Sequence, residues 1–373
     1  MTGHNEVELK LELDPADAGA LRGHPLLAGR AASTKEQVST YFDTRKKAVR
    51  KAGYSLRIRR SGGGYVQTVK RATSAAGLFD RPEWEAPVAG GRPEAAALAA
   101  TPLGGLLGAD RIGKLVPVVE STVDRTIWRL DHQESEVELV LDEGRIRGGG
   151  EERPLHEVEI ELKSGNPGAV LDLARRLAER VPLRIGVLSK AERGFALADG
   201  SLDKVSKAEP VAIREDMDVA EGFTAIVHAC LRHFRLNEPL VAGRREPEAL
   251  HQARVAMRRL RSAFSLFRPA LGGDEYEALR EELRWFTGTL GEARNLDVFL
   301  AGGSEAAVAD RATLEAAREQ AYDRVIEALD TRRFRDLMLG LVAWTDGGAW
   351  RERRKAQAPL LDFARSRLDR LWR

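Results

Sequence analysis

The chain has 373 residues, 43% of them hydrophobic and 31% charged, which is the composition of a globular protein of two or so domains and not of a disordered one. The net charge of +2 singles out neither a polyanionic nor a polycationic partner, and one cysteine, Cys230, excludes an intrachain disulfide framework and cysteine-built zinc sites. No stretch approaches the ~18 apolar residues that a bilayer span needs, and MTGHNEVELKLEL lacks the basic-then-apolar order of a secretory signal; a cytoplasmic protein without a membrane partner is expected.

Along the first ~200 residues, short segments alternate at period two between Gly, Pro and polar turns. They are EVELKLEL (6–13), YSLRIRR (54–60), YVQTVKR (65–71), RPEWEAPV (81–88), STVDRTIWRL (121–130), EVELVLDEG (136–144) and HEVEIELKSG (156–165). Residues 92–108 predict a helical turn or two, and 168–180 a crossing helix. Residues 201–212 read as a linker, which bounds a first domain at 1–200 and a second at 213–373. Beyond the linker the period becomes helical. Helices are predicted over 215–237, 247–268, 274–300, 304–330, 331–345 and 350–372, with breaks at Pro239, Gly272–Gly273, Gly302–Gly303 and Gly347–Gly348.

Alternation places residues i, i+2 and i+4 on one strand face. Glu6, Glu8, Lys10 and Glu12 oppose Val7, Leu9, Leu11 and Leu13; Arg57 and Arg59 oppose Leu56 and Ile58; Thr68 shares a face with Lys70, and Arg81 with Glu83 and Glu85. Arg125 and Arg129 share a face, Glu136, Glu138 and Asp142 oppose Val137, Leu139 and Leu141, and Glu157, Glu159, Glu161 and Lys163 oppose Val158, Ile160 and Leu162. One such strand reads as a solvated outer face. Seven whose polar faces are almost purely Glu, Arg and Lys favour a barrel with a charged lumen. Carboxylates hold Mg²⁺ or Mn²⁺ through oxygen while Arg and Lys hold phosphate oxygens, so the expected guest is a metal-bound polyphosphate. No His or Cys cluster competes for a transition metal.

EVELK at 6–10 resembles the ExExK signature of the CYTH superfamily, the triphosphate tunnel metalloenzymes. The similarity continues in order through YFDT (41–44), LRIR (56–59), TVK (68–70), RPEWE (81–85), ELVLDEG (138–144), HEVEIELKSG (156–165) and LSKAERGFAL (188–197), and the late blocks look most like bacterial inorganic triphosphatases. The resemblance implies an eight-stranded antiparallel tunnel that acts on triphosphates with Mg²⁺ or Mn²⁺. It casts Glu6, Glu8, Asp142, Glu157 and Glu159 as metal-holding acids, and Arg57, Arg59, Lys70 and Arg125 as substrate ligands. Glu6 and Glu8 with Lys10 and Lys190 become the catalytic set. Glu161 and Lys163 extend the same face, and Glu83 and Glu85 balance the lumen charge. The implied reaction is hydrolysis of inorganic triphosphate to pyrophosphate and phosphate, by positioning and electrostatics. The alternatives are a CYTH-type adenylate cyclase, a thiamine triphosphatase, or a non-catalytic polyphosphate-binding protein.

In the all-α half, residues 249–273 hold five arginines and no acid. His251, Arg254, Arg258 and Arg261 fall within about 80° of one another around a helix, a stripe of one sign that suits a linear polyanion. His228, Arg232 and Arg235, at i, i+4 and i+7 on the preceding helix, form a second basic cluster beside His233. Aromatic residues are not interleaved with these arginines, which disfavours nucleic acid. HQARVAMRRLRSAFSLF (251–267) and LGEARNLDVFL (290–300) resemble the two signatures of the CHAD domain, a polyphosphate-binding helical bundle of two similar halves. The resemblance makes His251, Arg254, Arg258 and Arg261 anion ligands, with His228 and Arg232 added from the second cluster, and puts Arg294 and Asp297 on a supporting helix. The chain stops at RSRLDRLWR, about where the basic helix of a second half is approached, so an incomplete bundle is expected. The oligomeric state is left open.

Overall fold

The computed structural model describes residues 4–73, 75–302 and 311–372. Residues 4–73 with 77–203 cluster as one compact unit, and 75–76 with 204–372 as another. The first unit is built on strands β1 (His4–Glu12), β2 (Ala32–Thr44), β3 (Tyr54–Ser61), β4 (Gly64–Arg71), β5 (Leu78–Val88), β6 (Leu115–His132), β7 (Ser135–Gly148) and β8 (Glu151–Ser164). They hydrogen-bond antiparallel in the order β5-β4-β3-β2-β6-β7-β8-β1, and β1 closes the ring by pairing with β5 from His4↔Glu83 to Leu9↔Leu78. Where β5 leaves β1, a short β9 (Arg184–Ile185) takes over its edge at Leu11 and Glu12. A closed eight-stranded antiparallel barrel followed by helices is the fold expected.

Seven strands coincide with the alternating segments. The missed one is β2, whose first half, Ala32–Glu36, is exposed on both faces and shows no alternation. Its last residues, Tyr41–Thr44, are buried throughout, and that pattern also reads as no particular element. Pairing with β3 and β6 makes it a strand. Two-residue turns fix the registers of three hairpins: Gly62–Gly63 joins β3 to β4, Gln133–Glu134 joins β6 to β7, and Gly149–Gly150 joins β7 to β8. All six turn residues have positive φ, which matches the right-handed twist of the flanking strands; glycine adopts it freely, whereas Gln133 and Glu134 adopt it at a cost.

The barrel is inside out by the standard of a soluble sheet. Its apolar faces point outward and are covered. Leu9, Leu11, Leu139, Leu141, Val158 and Ile160 are buried, as is the apolar face of α1 (Gly168–Ala178), with Val170, Leu173, Ala174 and Leu177. Leu56, Ile58 and Val69 pack with Leu98, Leu103 and Leu107 from the predicted helical turns at 92–108. Tyr41, Val119 and Ile146 pack with Ala191, Phe195 and Leu197 of α2 (Lys190–Ala198). Burial of these faces drives folding, and closure leaves the charged faces no place but the lumen.

The second unit consists of α3 (Val219–Arg244), α4 (Pro247–Leu271), α5 (Asp274–Ala301), α6 (Arg311–Asp330), α7 (Arg332–Gly347) and α8 (Leu360–Trp372). Two boundaries differ most from expectation. Helix α3 runs through Pro239 to Arg244 instead of breaking there: proline removes one donor, but buried Leu240 and Val241 hold the following turn in the core. The helix predicted over 350–372 is instead a short 3₁₀ turn at Ala349–Glu352, with α8 starting only at Leu360. The predicted start at 304 and the break at Gly303 lie outside the described residues. An aromatic cluster of Phe223, Phe264, Trp344 and Trp350 forms part of the core. No helix among the described residues is long and apolar enough to cross a membrane.

Candidate active site

The lumen encloses a cavity of about 280 Å³ lined by Glu6, Glu8, Lys10, Tyr41, Arg57, Arg59, Lys70, Arg81, Glu83, Glu85, Arg125, Glu138, Glu159, Glu161, Lys163 and Lys190, among others. Strand register brings these side chains together. Lys10 of β1 stands opposite Glu159 of β8, Glu6 opposite Arg81 of β5, and Lys70 of β4 opposite Glu83. Arg125 of β6 faces Asp142 of β7, which faces Glu157 of β8.

Two clusters result, joined by Lys10. In the first, Glu6 accepts from Lys70 at 2.5 and 2.6 Å, and Glu8 accepts from Arg81 at 2.7 Å. Burial would raise the Glu6 carboxyl, but Lys70 and Arg81 outweigh it and hold it at about 2. In the second, Asp142 accepts a bidentate pair from Arg125 at 2.8 and 2.5 Å, Glu159 accepts from Arg125 at 2.7 Å, and Lys190 pairs with Asp142, Glu157 and Glu159. Burial raises Glu157, whereas Lys10, Lys190 and Arg125 overcome burial at Glu159 and hold it well below the usual carboxylate range. Lys10 pairs with Glu159 and lies 3.4 Å from Glu8 and 3.8 Å from Glu157.

Towards one end of the cavity, Arg57 and Arg59 reach Glu83 and Glu85, with Arg59 2.8 Å from Glu85 and Thr68 Oγ1 donating to Glu85 at 2.8 Å. Burial pushes Glu83 up and Glu6 adds to that; Lys70 and Arg57 pull it down, and it settles at about 6. The neighbouring Arg57, with burial second, lowers Arg59 to about 10. Lys163 pairs with Glu161 at 2.6 Å and Glu138 at 3.2 Å.

Lys190 owes its place to the start of α2. Ser189 and Glu192 form a capping box that fixes the helix N-terminus. Arg193 donates to Glu12 at 2.7 Å. At Gly194 a Cβ would lie 2.2 Å from Val119, so only glycine lets the helix approach the sheet this closely.

Of the tunnel residues expected from sequence, all but Asp142 and Glu157 line this cavity, and those two are buried against Arg125 and Lys190. Sequence reasoning assigned Arg81 no role, although it shares a face with Glu83 and Glu85; that face was the available signal. Tyr41 also lines the cavity from the strand that alternation did not reveal. Metal fit can be judged from the donors. Oxygens of Asp142, Glu157 and Glu159 converge within 4.8 Å of one another, all three residues are buried, and oxygen-only donors suit a hard divalent cation. Glu6 and Glu8 lie outside that triad.

In the helical unit the structure divides the predicted anion ligands. On α4, Arg258 and Arg261 are exposed and His251 and Arg254 half-buried. Arg254 donates to Asn295 at 3.3 Å and Arg261 to Thr287 at 3.1 Å, and among the described residues no carboxylate pairs with Arg254, Arg258 or Arg261. His228 does not belong with them. It is 8% exposed and sits 3.0 Å from Asp346, so it is a buried, partnered group of the interior and not a surface ligand. Arg235 is likewise buried against Glu238, and Arg232 is half-buried. Packing turns His228 and Arg235 of the second basic cluster into the bundle and leaves Arg232 half-buried, so the cluster does not present one exposed face. Asp297 is buried and accepts from Arg318 at 2.7 Å and Tyr322 at 3.0 Å, tying α5 to α6.

Residues 4–195 match the CYTH domain family. The chain belongs to the CYTH family. A CHAD domain follows, matched over residues 225–373. Among curated proteins the CYTH–CHAD chain is similar to an inorganic triphosphatase of Haemophilus influenzae, 28% identical over 236 residues. That alignment covers 61% of this chain and 65% of the relative, so slightly under two thirds of the relative's length is spanned. Among solved structures, the CHAD domain from the plant Ricinus communis is 31% identical with a TM-score of 0.41, covering 45% of this chain and 58% of that one. A putative adenylyl cyclase from Hippeastrum, described as having a dominant triphosphatase activity, is 20% identical with a TM-score of 0.39, covering 52% of this chain and 95% of that one.

Proposed function

We propose that the CYTH tunnel hydrolyses inorganic triphosphate to pyrophosphate and phosphate with Mg²⁺ or Mn²⁺, and that the CHAD domain binds polyphosphate. The observation that carries the first part is the closed lumen in which Arg57, Arg59, Lys70 and Arg125 share one small cavity with Glu159, the member of the acid triad that lines it. Triphosphate carries several negative charges that only a group of cations can desolvate. Arg57 and Arg59 hold phosphate oxygens at one end, Lys70 and Arg125 along the walls, and Lys10 and Lys190 near the acids. Asp142, Glu157 and Glu159, with Glu6 and Glu8 lining the same lumen from the other cluster, would hold the metal, which when bound neutralises phosphate charge and polarises phosphorus. The fixed carboxylates orient an attacking water in line with the departing phosphate. The lining contains few uncharged groups, which favours inorganic triphosphate over a triphosphate carrying an adenine or thiamine group. The polyphosphate reading rests on the acid-free arginine stripe of α4. Phosphate release from tripolyphosphate, ATP and thiamine triphosphate, with Mg²⁺, Mn²⁺ or chelator, tests the first part. Fastest turnover of ATP with cyclic-nucleotide formation, or turnover unaffected by chelator, would refute it.

A further inference from the structure

The Lys190 ammonium occupies the point on which the acid triad converges. It lies 2.7 Å from Asp142 Oδ2 and 3.0 Å from Glu159 Oε1, and is ion-paired with Glu157 Oε1. Arg125 reaches only Asp142 and Glu159 of the triad, and Lys10 only Glu157 and Glu159. Among the described residues Lys190 alone touches all three. The acids are fixed on paired strands, with Asp142 and Glu157 opposite each other in register. The Lys190 backbone is fixed too, as the first residue of a capped helix. Its side chain is different: a flexible four-carbon stem lining an open cavity, so the ammonium can leave while both supports stay in place.

We propose that Lys190 is a tethered substitute for the divalent cation. Together with Arg125 and Lys10 it balances the triad in the metal-free tunnel, and it is displaced into the cavity as metal enters, where it meets substrate phosphate. This rests on the metal-dependent triphosphatase reading above. Three buried carboxylates need positive charge to stay ionised; the ammonium donates to Glu157 and Glu159 and is ion-paired with Asp142. An ammonium and a divalent ion cannot share one point, so they compete. Metal affinity is then reduced by the fraction of time the ammonium is away. Each metal that binds also frees a cation for the substrate, so metal and triphosphate bind cooperatively.

The test is Mn²⁺ binding to the full chain without substrate, by calorimetry and by thermal shift. Lys190→Met keeps the stem and removes the competitor; the metal-free protein should melt lower and bind Mn²⁺ at least about tenfold more tightly. Lys190→Arg, whose fork grips carboxylates more firmly, should bind Mn²⁺ more weakly than wild type. Unchanged affinity in Lys190→Met, or no weakening in Lys190→Arg, overturns the proposal. A Lys190→Met protein that folds only with Mn²⁺ supports it; if that variant stays unfolded in Mn²⁺, the Lys190→Arg comparison decides. A wild type that hydrolyses tripolyphosphate yet binds no Mn²⁺ without it overturns the competition and leaves the triphosphatase reading standing. A wild type without hydrolysis whose Lys190→Met variant gains Mn²⁺ affinity sinks the triphosphatase reading and keeps the competition.

Discussion

Replacing Arg81 with methionine isolates what holds the first lumen cluster together. Arg81 is 6% exposed, donates to Glu8 at 2.7 Å and lies 3.6 Å from Glu6. Glu6 keeps Lys70 at 2.5 Å when Arg81 is lost. Glu8, 2% exposed, keeps only Lys10 at 3.4 Å, a lysine already paired with Glu159. The damage therefore falls on Glu8. Removing one partner of a buried ion pair typically costs about 3–5 kcal/mol, and the remaining lysine argues for the lower figure, about 3 kcal/mol. For a unit of about 200 residues this lowers the melting temperature of the tunnel by roughly 6–12 °C. The assay is thermal and urea unfolding of the metal-free protein, as a double-mutant cycle with Glu8→Gln. The double variant removes both charges and should recover most of the loss. A cost below about 1 kcal/mol, or no recovery in the double variant, would show that Arg81 does not support Glu8.

The elevated Glu83 carboxyl gives a pH signature. Its folded value of about 6 lies above the ordinary 4.5, so the folded tunnel binds its proton more readily than the unfolded chain does. Wild type should therefore gain stability over Glu83→Gln as pH falls from above 6 to below 4.5, by about 2 kcal/mol; a flat difference across that range refutes the assignment. Glu6→Gln and Glu8→Gln should each lower tripolyphosphate turnover by at least about 100-fold at limiting metal with circular dichroism unchanged, and near-normal turnover would remove them from the site. Arg57→Ala and Arg59→Ala each lose charge-assisted bonds of about 1.5–3 kcal/mol, which should appear as roughly 10–100-fold in kcat/KM. Arg254→Ala with Arg258→Ala should weaken polyphosphate binding by about tenfold or more and flatten its salt dependence; equal competition by DNA of matched charge would make the stripe an ordinary solvated face.

Sequence periodicity alone assigned seven of the barrel strands, their two faces and the change to helices near residue 200, because a side chain's face is set by its own strand. The resemblance that EVELK, LRIR and HEVEIELKSG carry supplied the eighth strand's existence, but not its place at 32–44. There the outer half is exposed on both faces and the inner half buried on both, so no alternation is written. Periodicity also showed that Arg81 shares a face with Glu83 and Glu85. Only cross-strand register, set by closure between β1 and β5, decided that it meets Glu6 and Glu8. The stripe on α4 and the cluster on α3 look equally basic on a helical wheel. Packing separated them, leaving Arg258 and Arg261 exposed and turning His228 inward to Asp346. A wheel gives an angle about one helix axis; which angle faces water depends on the neighbouring helices. The Lys190 contact with three acids is of the same kind. A residue after strand β9 and three residues on β7 and β8 meet at one point because the β7–β8 register sets Asp142 beside Glu157 and α2 packs against the barrel wall at Val119 and Ile146.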